Sequence, residues 1–263
     1  MTQVHQICDY LDQLAPRELA ESWDNTGLLV GDPAAPVERV MTCLTITPES
    51  TVEAVESQAQ LIVTHHPLPF RPLARITTES TAGHLLWQLI RAGIAVYSAH
   101  TRFDSTGSGI NQQIGKRLGL QDLRPLAPLV GQTAVGAGRI GEFSTPLTLR
   151  SFAGVLKSQF GLAALEVAGS LEAFVRRVAI ACGSGGSLLE PACHAGCDTF
   201  LTGEANFHTA LECRARGVIL VLLGHYASER FAMEGLAAQL ASAFPQLTVW
   251  PSRCESDPLT RIE

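Results

Sequence analysis

Leu61-Ile62-Val63-Thr64-His65-His66-Pro67 is the stretch on which the reading of this chain turns. Its first four residues, apolar or β-branched, have the length of a short buried strand, and Pro67 closes it. The same grammar recurs at Ile94-Ala95-Val96-Tyr97-Ser98, a second buried strand that runs into Ala99-His100-Thr101-Arg102-Phe103-Asp104. A helix is expected between them, over residues 81–92. Upstream, Val4, Ile7, Cys8, Leu11 and Leu14 recur at helical spacing and predict an amphipathic helix over 3–22. Trp23-Asp24-Asn25-Thr26-Gly27 then turns into a strand at Leu28-Leu29-Val30. Residues 39–46 read as another strand, and Pro48 opens a helix behind it. Strands alternating with helices indicate βαβ units and a largely parallel sheet. Both histidine-bearing segments follow a strand, which is the edge where open α/β sheets place ligands.

Residues 121–136 carry Pro125, Pro128 and Gly131 without clear periodicity and read as a domain boundary. Beyond them strands are expected at 138–143, 177–182, 200–204, 218–223 and 247–250, with helices at 149–159, 207–216 and 228–241. The turn Gly183-Ser184-Gly185-Gly186-Ser187 leads toward a further helix. The expected organisation is a first α/β domain over 1–125, holding His65, His66, His100 and Asp104. A second covers 126–263, holding His225 and Glu229, and its C-terminal part can return to pack on the first.

With 263 residues, 46% hydrophobic and 17% charged, the chain has ample material for globular cores. No apolar run approaches the ~18 residues of a membrane span, and the N-terminus lacks a basic region followed by an apolar core. A cytoplasmic protein is expected. The formal net charge of −6 gives no support to nucleic-acid binding, which relies on clustered Lys and Arg. Seven scattered cysteines argue against a disulfide framework, and Cys193-x-x-x-Cys197 has no second half for a zinc site.

Three pairs carry the chemistry: adjacent His65 and His66, then His100 and Asp104 four apart, then His225 and Glu229 four apart at the start of a helix. The i,i+4 spacing puts two helical side chains on one face. A lone pair of this kind is usually a solvated face or a hydrogen-bonded core group. Three pairs, all at the ends of apolar strands, point to metal. Imidazole with carboxylate suits Zn, Mn, Fe, Ni or Co as divalent ions. The Gly183–Gly186 turn has no Gly-Lys-Ser/Thr ending, so a tight turn is expected rather than a phosphate loop. Glu204 and His208 lie near a strand end, within reach of the same cavity or of a structural role at a helix start. Trp23 reads as an apolar anchor.

In order and spacing, Trp23-Asp24-Asn25-x-Gly27-Leu28-Leu29-Val30-Gly31, Thr64-His65-His66-Pro67, Ala99-His100-Thr101-x-Phe103-Asp104, Gly138-Arg139-Ile140-Gly141-Glu142, Thr202-Gly203-Glu204 and Gly224-His225-Tyr226-Ala227-Ser228-Glu229 resemble the Nif-three-like dinuclear metal centre proteins, the type 2 GTP cyclohydrolase I homologues. The resemblance spans nearly the whole chain. It implies two interlaced α/β domains with mixed or largely parallel sheets and the metal site between them. Two divalent ions per chain would be held by His65, His66, Asp104, His225 and Glu229, with Glu229, with or without Asp104, as bridge. His100 is implied as an additional site histidine, outside the ligands or acid–base. The family implies toroidal homohexamers and a small-molecule substrate. The expected activity is that of a metal-dependent hydrolase, with ring opening of a purine nucleotide such as GTP suggested by the family's name; a phosphoesterase or amidohydrolase fits the same ligands. The alternative is a non-enzymatic metal-binding ring, a scaffold or regulatory partner. Two positions depart from the family: Thr45 stands where an Asp is common, and Phe207 where a second His often precedes His208.

Overall fold

The computed structural model describes residues 1–260. The chain forms two compact units, one of Met1–Phe103 with Arg230–Pro258, the other built on Asp104–Glu229. The backbone passes between them at Phe103–Asp104 and again at Glu229–Arg230, where the sequence reading sets the passage at 125–126.

The first unit contains β1 (Thr2–Gln3), α1 (Val4–Leu14), β2 (Gly27–Val30), β3 (Pro36–Val37), β4 (Arg39–Cys43), α2 (Pro48–Glu56), β5 (Leu61–Thr64), α3 (Thr81–Arg91) and β6 (Ala95–Ser98). Helix α4 (His100–Ser105) begins in this unit and carries the chain into the second. There follow α5 (Ile110–Arg117), β7 (Gln121–Pro128), β8 (Gly136–Thr148), α6 (Leu149–Phe160), β9 (Glu166–Ala168), β10 (Phe174–Ala181), α7 (Leu189–His194), β11 (Thr199–Thr202), α8 (Phe207–Ala215), β12 (Ile219–Leu222) and α9 (His225–Glu229). The chain then returns to the first unit as α10 (Phe231–Ala243) and β13 (Thr248–Pro251).

In the first unit a five-stranded sheet runs β13-β4-β5-β6-β2. Its first four strands are parallel, and β2 pairs antiparallel with β6. Met41, Ile62 and Val96 from three neighbouring strands bury one face against Ala54 of α2 and Leu85 and Leu89 of α3. Complete burial of a side chain such as Ile62 contributes about 1.5–3 kcal/mol. The second unit holds a six-stranded sheet ordered β7-β8-β10-β11-β12-β9. Strands β10, β11 and β12 are parallel, and the flanking pairs antiparallel. The fold is thus mixed α/β, with parallel strands at the centre of each sheet.

Two expectations are corrected. Helix α1 stops at Leu14, not 22, because Pro16 cannot continue it, and a short 3-10 turn follows at Arg17–Leu19. Residues 121–128, expected as a boundary, form β7. They escape the strand pattern because β7 is an edge strand, where prolines are tolerated and alternation is weak. Among the described residues no helix is long and apolar enough to cross a membrane.

Candidate metal centre

In the first unit the parallel strands deliver the histidines. His65 and His66 follow β5, and His100 opens α4 just after β6. Backbone bonds fix the strand end: the His65 and His66 amides donate to the Cys43 and Leu44 carbonyls at 3.0 and 2.8 Å. Ser98 Oγ donates to the His65 carbonyl at 2.6 Å, tying the two strand ends together. The three imidazoles crowd into one cluster, with ring centroids 5.1, 5.2 and 5.7 Å apart. One ring nitrogen from each lies within 4.8 Å of the others. Tetrahedral ligands at about 2.0–2.1 Å from a metal sit roughly 3.3 Å apart, so nitrogens this close are near the spacing of a metal site.

Two of these rings are held by polar groups behind them. Asp24, with its side chain wholly buried, accepts from His100 Nδ1 at 2.7 Å and also takes the Thr101 amide and hydroxyl. Burial pushes the Asp24 carboxyl up, but these hydrogen bonds outweigh it and hold the group below the ordinary range. This grip fixes a residue in an unusual backbone state. His100 has φ of 37°, a left-handed conformation that costs a side-chain-bearing residue about 1–3 kcal/mol. For the second ring, Thr45 Oγ1 lies 2.7 Å from His66 Nδ1. Glu255 accepts the Thr45 amide at 2.8 Å and pairs with Arg230 Nε at 2.8 Å. Carboxylates and hydroxyls behind ligand histidines set ring orientation and tautomer.

The second unit gathers its own set. His225 and Glu229, four apart in α9, meet at 3.1 Å through Nε2, and Glu204 meets Nδ1 at 3.1 Å. The hydrogen bond to Glu229, against burial, and the Glu204 carboxylate raise His225 to about 9, so without metal it is an imidazolium donating from both nitrogens. Asp104 accepts from Cys182 Sγ at 3.1 Å. Burial, then the charges of Asp104 and Glu229, push the Cys182 thiol well up. Gly183 completes the cradle: a Cβ there would stand 2.2 Å from Glu229 Oε1 and 3.3 Å from His225 Nε2.

Each unit therefore assembles its own share of the predicted residues: His65, His66 and His100 in the first, Asp104, His225 and Glu229 in the second. Glu204 joins His225, whereas His208 is exposed and contacts Phe207. In the Gly183–Gly186 turn the Gly183 and Gly185 amides donate to the Ser228 and Thr202 hydroxyls. Trp23 is not a buried anchor; it is 60% exposed. Cys182 and Glu255 escaped the sequence reading as site residues, whereas Asp24 reads equally as a turn residue and as one that reaches a ligand. Only Asp24, inside the Trp-Asp-Asn run, carried any local signal.

Fold and donors together define the class, a mixed α/β protein with candidate His/Glu metal-ligand groups at the carboxyl ends of its parallel strands. Residues 2–258 match the family described as Duf34/NIF3 (NGG1p interacting factor 3), and the chain belongs to it. A Streptomyces coelicolor relative named GTP cyclohydrolase 1 type 2 homolog is 36% identical, over 99% of this chain and 94% of its own. The Schizosaccharomyces pombe Protein NIF3 homolog is 34% identical, over 93% of each. The solved structure of Staphylococcus aureus protein SA1388 superposes with a TM-score of 0.91 at 27% identity, covering 99% of both chains.

Proposed function

We propose that the chain binds two divalent metal ions through His65, His66, Asp104, His225 and Glu229, and hydrolyses a small molecule with them, a purine nucleotide being the substrate class favoured by the relatives' names. The observation that carries this reading is the imidazole trio at the carboxyl edge of a parallel sheet, the edge where such sheets bind ligands. The donor set fits the group: imidazole and carboxylate only, with borderline and hard character suited to Zn, Mn, Fe, Ni or Co. Bound there, the ions would supply Lewis-acid activation of water and of an electrophilic centre. The chain's own residues supply the rest. Asp24 fixes Nδ1 of His100, so Nε2 is the nitrogen that would move a proton at the reacting atom. Thr45 and Glu255 orient His66, and Gly183 leaves room for the Glu229 carboxylate.

The reading extends to a homohexameric ring and to a cytoplasmic setting, the latter in keeping with seven free cysteines. Elemental analysis of gently purified protein should give about two ions per chain. His65→Ala and Glu229→Ala should each lower that number while the protein stays folded. A metal-free preparation that keeps full hydrolytic activity, or wild-type protein that never takes up metal, would end the proposal. A non-enzymatic metal-binding ring is the second reading, favoured by the family's description as an interacting factor. It gains if metal binds but no nucleotide turns over.

A further inference from the structure

Two large apolar side chains stand in solvent beside the imidazole trio. Trp23 is 60% exposed and Phe70 is 47% exposed. Their ring centroids are 6.0 Å apart, and each lies 6.0 Å from the His100 ring, edge to face at 78° and 79°. Neither sits on a loose loop end. The residue after Trp23 is Asp24, whose buried carboxylate grips His100 and Thr101. The next, Asn25, donates from Nδ2 to the carbonyl of Pro69 at 2.7 Å, and Pro69 precedes Phe70. Two hydrogen-bonded anchors thus hold two aromatic rings in place while leaving about half of their surface in water. Burial does not explain that arrangement, since these rings add little to the core.

We infer that Trp23 and Phe70, whose planes are tilted by 47° to each other, hold a planar heteroaromatic ring, one aromatic against its face and the other against its edge, the ring being the nucleobase of a small-molecule substrate whose reacting atoms lie over His65, His66 and His100. This rests on the proposed function and gives its substrate a recognition element. The two rings border the imidazoles directly, so a planar ring held there stands beside the groups that would act on it. Aromatic faces accept any base, so the pair selects for planarity and leaves base identity to other groups.

The test is a titration of full-length protein with guanosine 5′-monophosphate, cytidine 5′-monophosphate and ribose 5-phosphate, read by tryptophan fluorescence and calorimetry in excess EDTA. Working without metal separates this inference from the metal reading, which elemental analysis judges independently. Both nucleotides should bind and quench, and ribose 5-phosphate should bind much more weakly. Trp23→Ala and Phe70→Ala, at exposed positions that leave folding intact, should weaken nucleotide binding by roughly 5- to 150-fold. Trp23→Phe should restore most of it. Equal binding of ribose 5-phosphate and the nucleotides overturns the inference, as does unchanged nucleotide affinity in both alanine variants. A Trp23→Ala protein that changes oligomeric state in sizing experiments while keeping its nucleotide affinity assigns the patch to a subunit interface and overturns it too.

Discussion

Gly183→Ala perturbs the candidate centre through one atom. Gly183 has φ of +57°, so an alanine meets the left-handed backbone penalty of about 1–2 kcal/mol. Its new Cβ would also stand 2.2 Å from Glu229 Oε1, where ordinary contact begins at 3.4 Å, so the carboxylate must retreat by 3.4 − 2.2 = 1.2 Å. Glu229 has little room for that. Its side chain is 4% exposed and is held against His225 Nε2. Overpacking of this kind costs about 1–3 kcal/mol on top of the backbone term. Gly161 provides the control: its φ is +66° and a Cβ there meets nothing within 4 Å. Gly161→Ala should therefore show the backbone cost alone.

Urea unfolding of both variants, alongside calorimetric titration with Zn²⁺ or Mn²⁺, separates the two terms. Gly183→Ala should be less stable than Gly161→Ala by about 1–3 kcal/mol and should bind metal roughly 10–100-fold more weakly. Gly161→Ala should bind like wild type. If the two variants unfold alike and Gly183→Ala keeps its metal affinity, Glu229 is not held against that glycine and the cradle is wrong.

Asp12 holds the fully buried Arg102 at 2.6 Å and accepts from Tyr97 and Arg17 at 2.6 and 2.8 Å. Asp12→Ala leaves Arg102 without its counter-charge and should cost about 3 kcal/mol in denaturant unfolding. Burial raises the Asp12 carboxyl, but those hydrogen bonds overcome it and depress the group, so its stabilisation is complete above about pH 4 and fades as pH falls through the lower folded value. An Asp12→Asn protein should show a shallower acid limb. His225 is raised to about 9 in the metal-free state. Its contribution is therefore complete below about pH 6.5 and lost as pH climbs through 9, a transition that NMR titration should place there and that Glu229→Gln should move downward. Because a ligating His225 must shed a proton, metal binding measured in buffers of different ionisation enthalpy should report proton release; none would count against His225 as a ligand. Thr45→Val removes the hydroxyl at 2.7 Å from His66 Nδ1. It should cost about 1 kcal/mol and weaken metal binding about 10–100-fold, and an unaltered affinity would make that contact incidental.

What could be read from the sequence is what short-range patterns encode. Leu61–Thr64 and Ala95–Ser98 are buried on both faces in parallel sheet, so they appear as continuous apolar runs, and the histidines that follow are at once recognisable as strand-end residues. His225 and Glu229 show their relation through helical spacing alone. Strand β7 was hidden by its prolines. Strand β9, three residues pairing with β12, was too short to leave a pattern. The supports behind the imidazoles lay beyond any such rule. Asp24 and His100 are 76 positions apart, and Thr45 and Glu255 are 210 apart. No periodicity connects residues at that distance; only the folded register of the whole sheet, with Asp24 just before β2 and Glu255 just after β13, brings them to one edge.

That division between local signal and distant support explains why the donors are legible and the chemistry is not. A ligand can be recognised from its type and its place at a strand end. What a ligand does depends on the groups that fix its ring, its proton and its freedom to move, and those arrive from elsewhere in the chain. Thr45 illustrates the point. A carboxylate at 45 could only accept, so His66 Nδ1 would have to donate and Nε2 would be left for metal. The hydroxyl both donates and accepts, so it leaves the tautomer open, while the buried Glu255 anchors the Thr45 amide instead. Thr45→Asp should therefore shift the His66 ring toward the Nδ1–H tautomer, which imidazole ¹⁵N chemical shifts distinguish in metal-free protein, and should tighten metal binding. The new charge would face Glu255, so a Thr45→Asn protein, which lacks that repulsion but can still accept at 45, separates tautomer control from charge. If neither variant moves the ¹⁵N shifts, the orientation of His66 is set by its backbone at the end of β5 and the hydroxyl contact has no part in it.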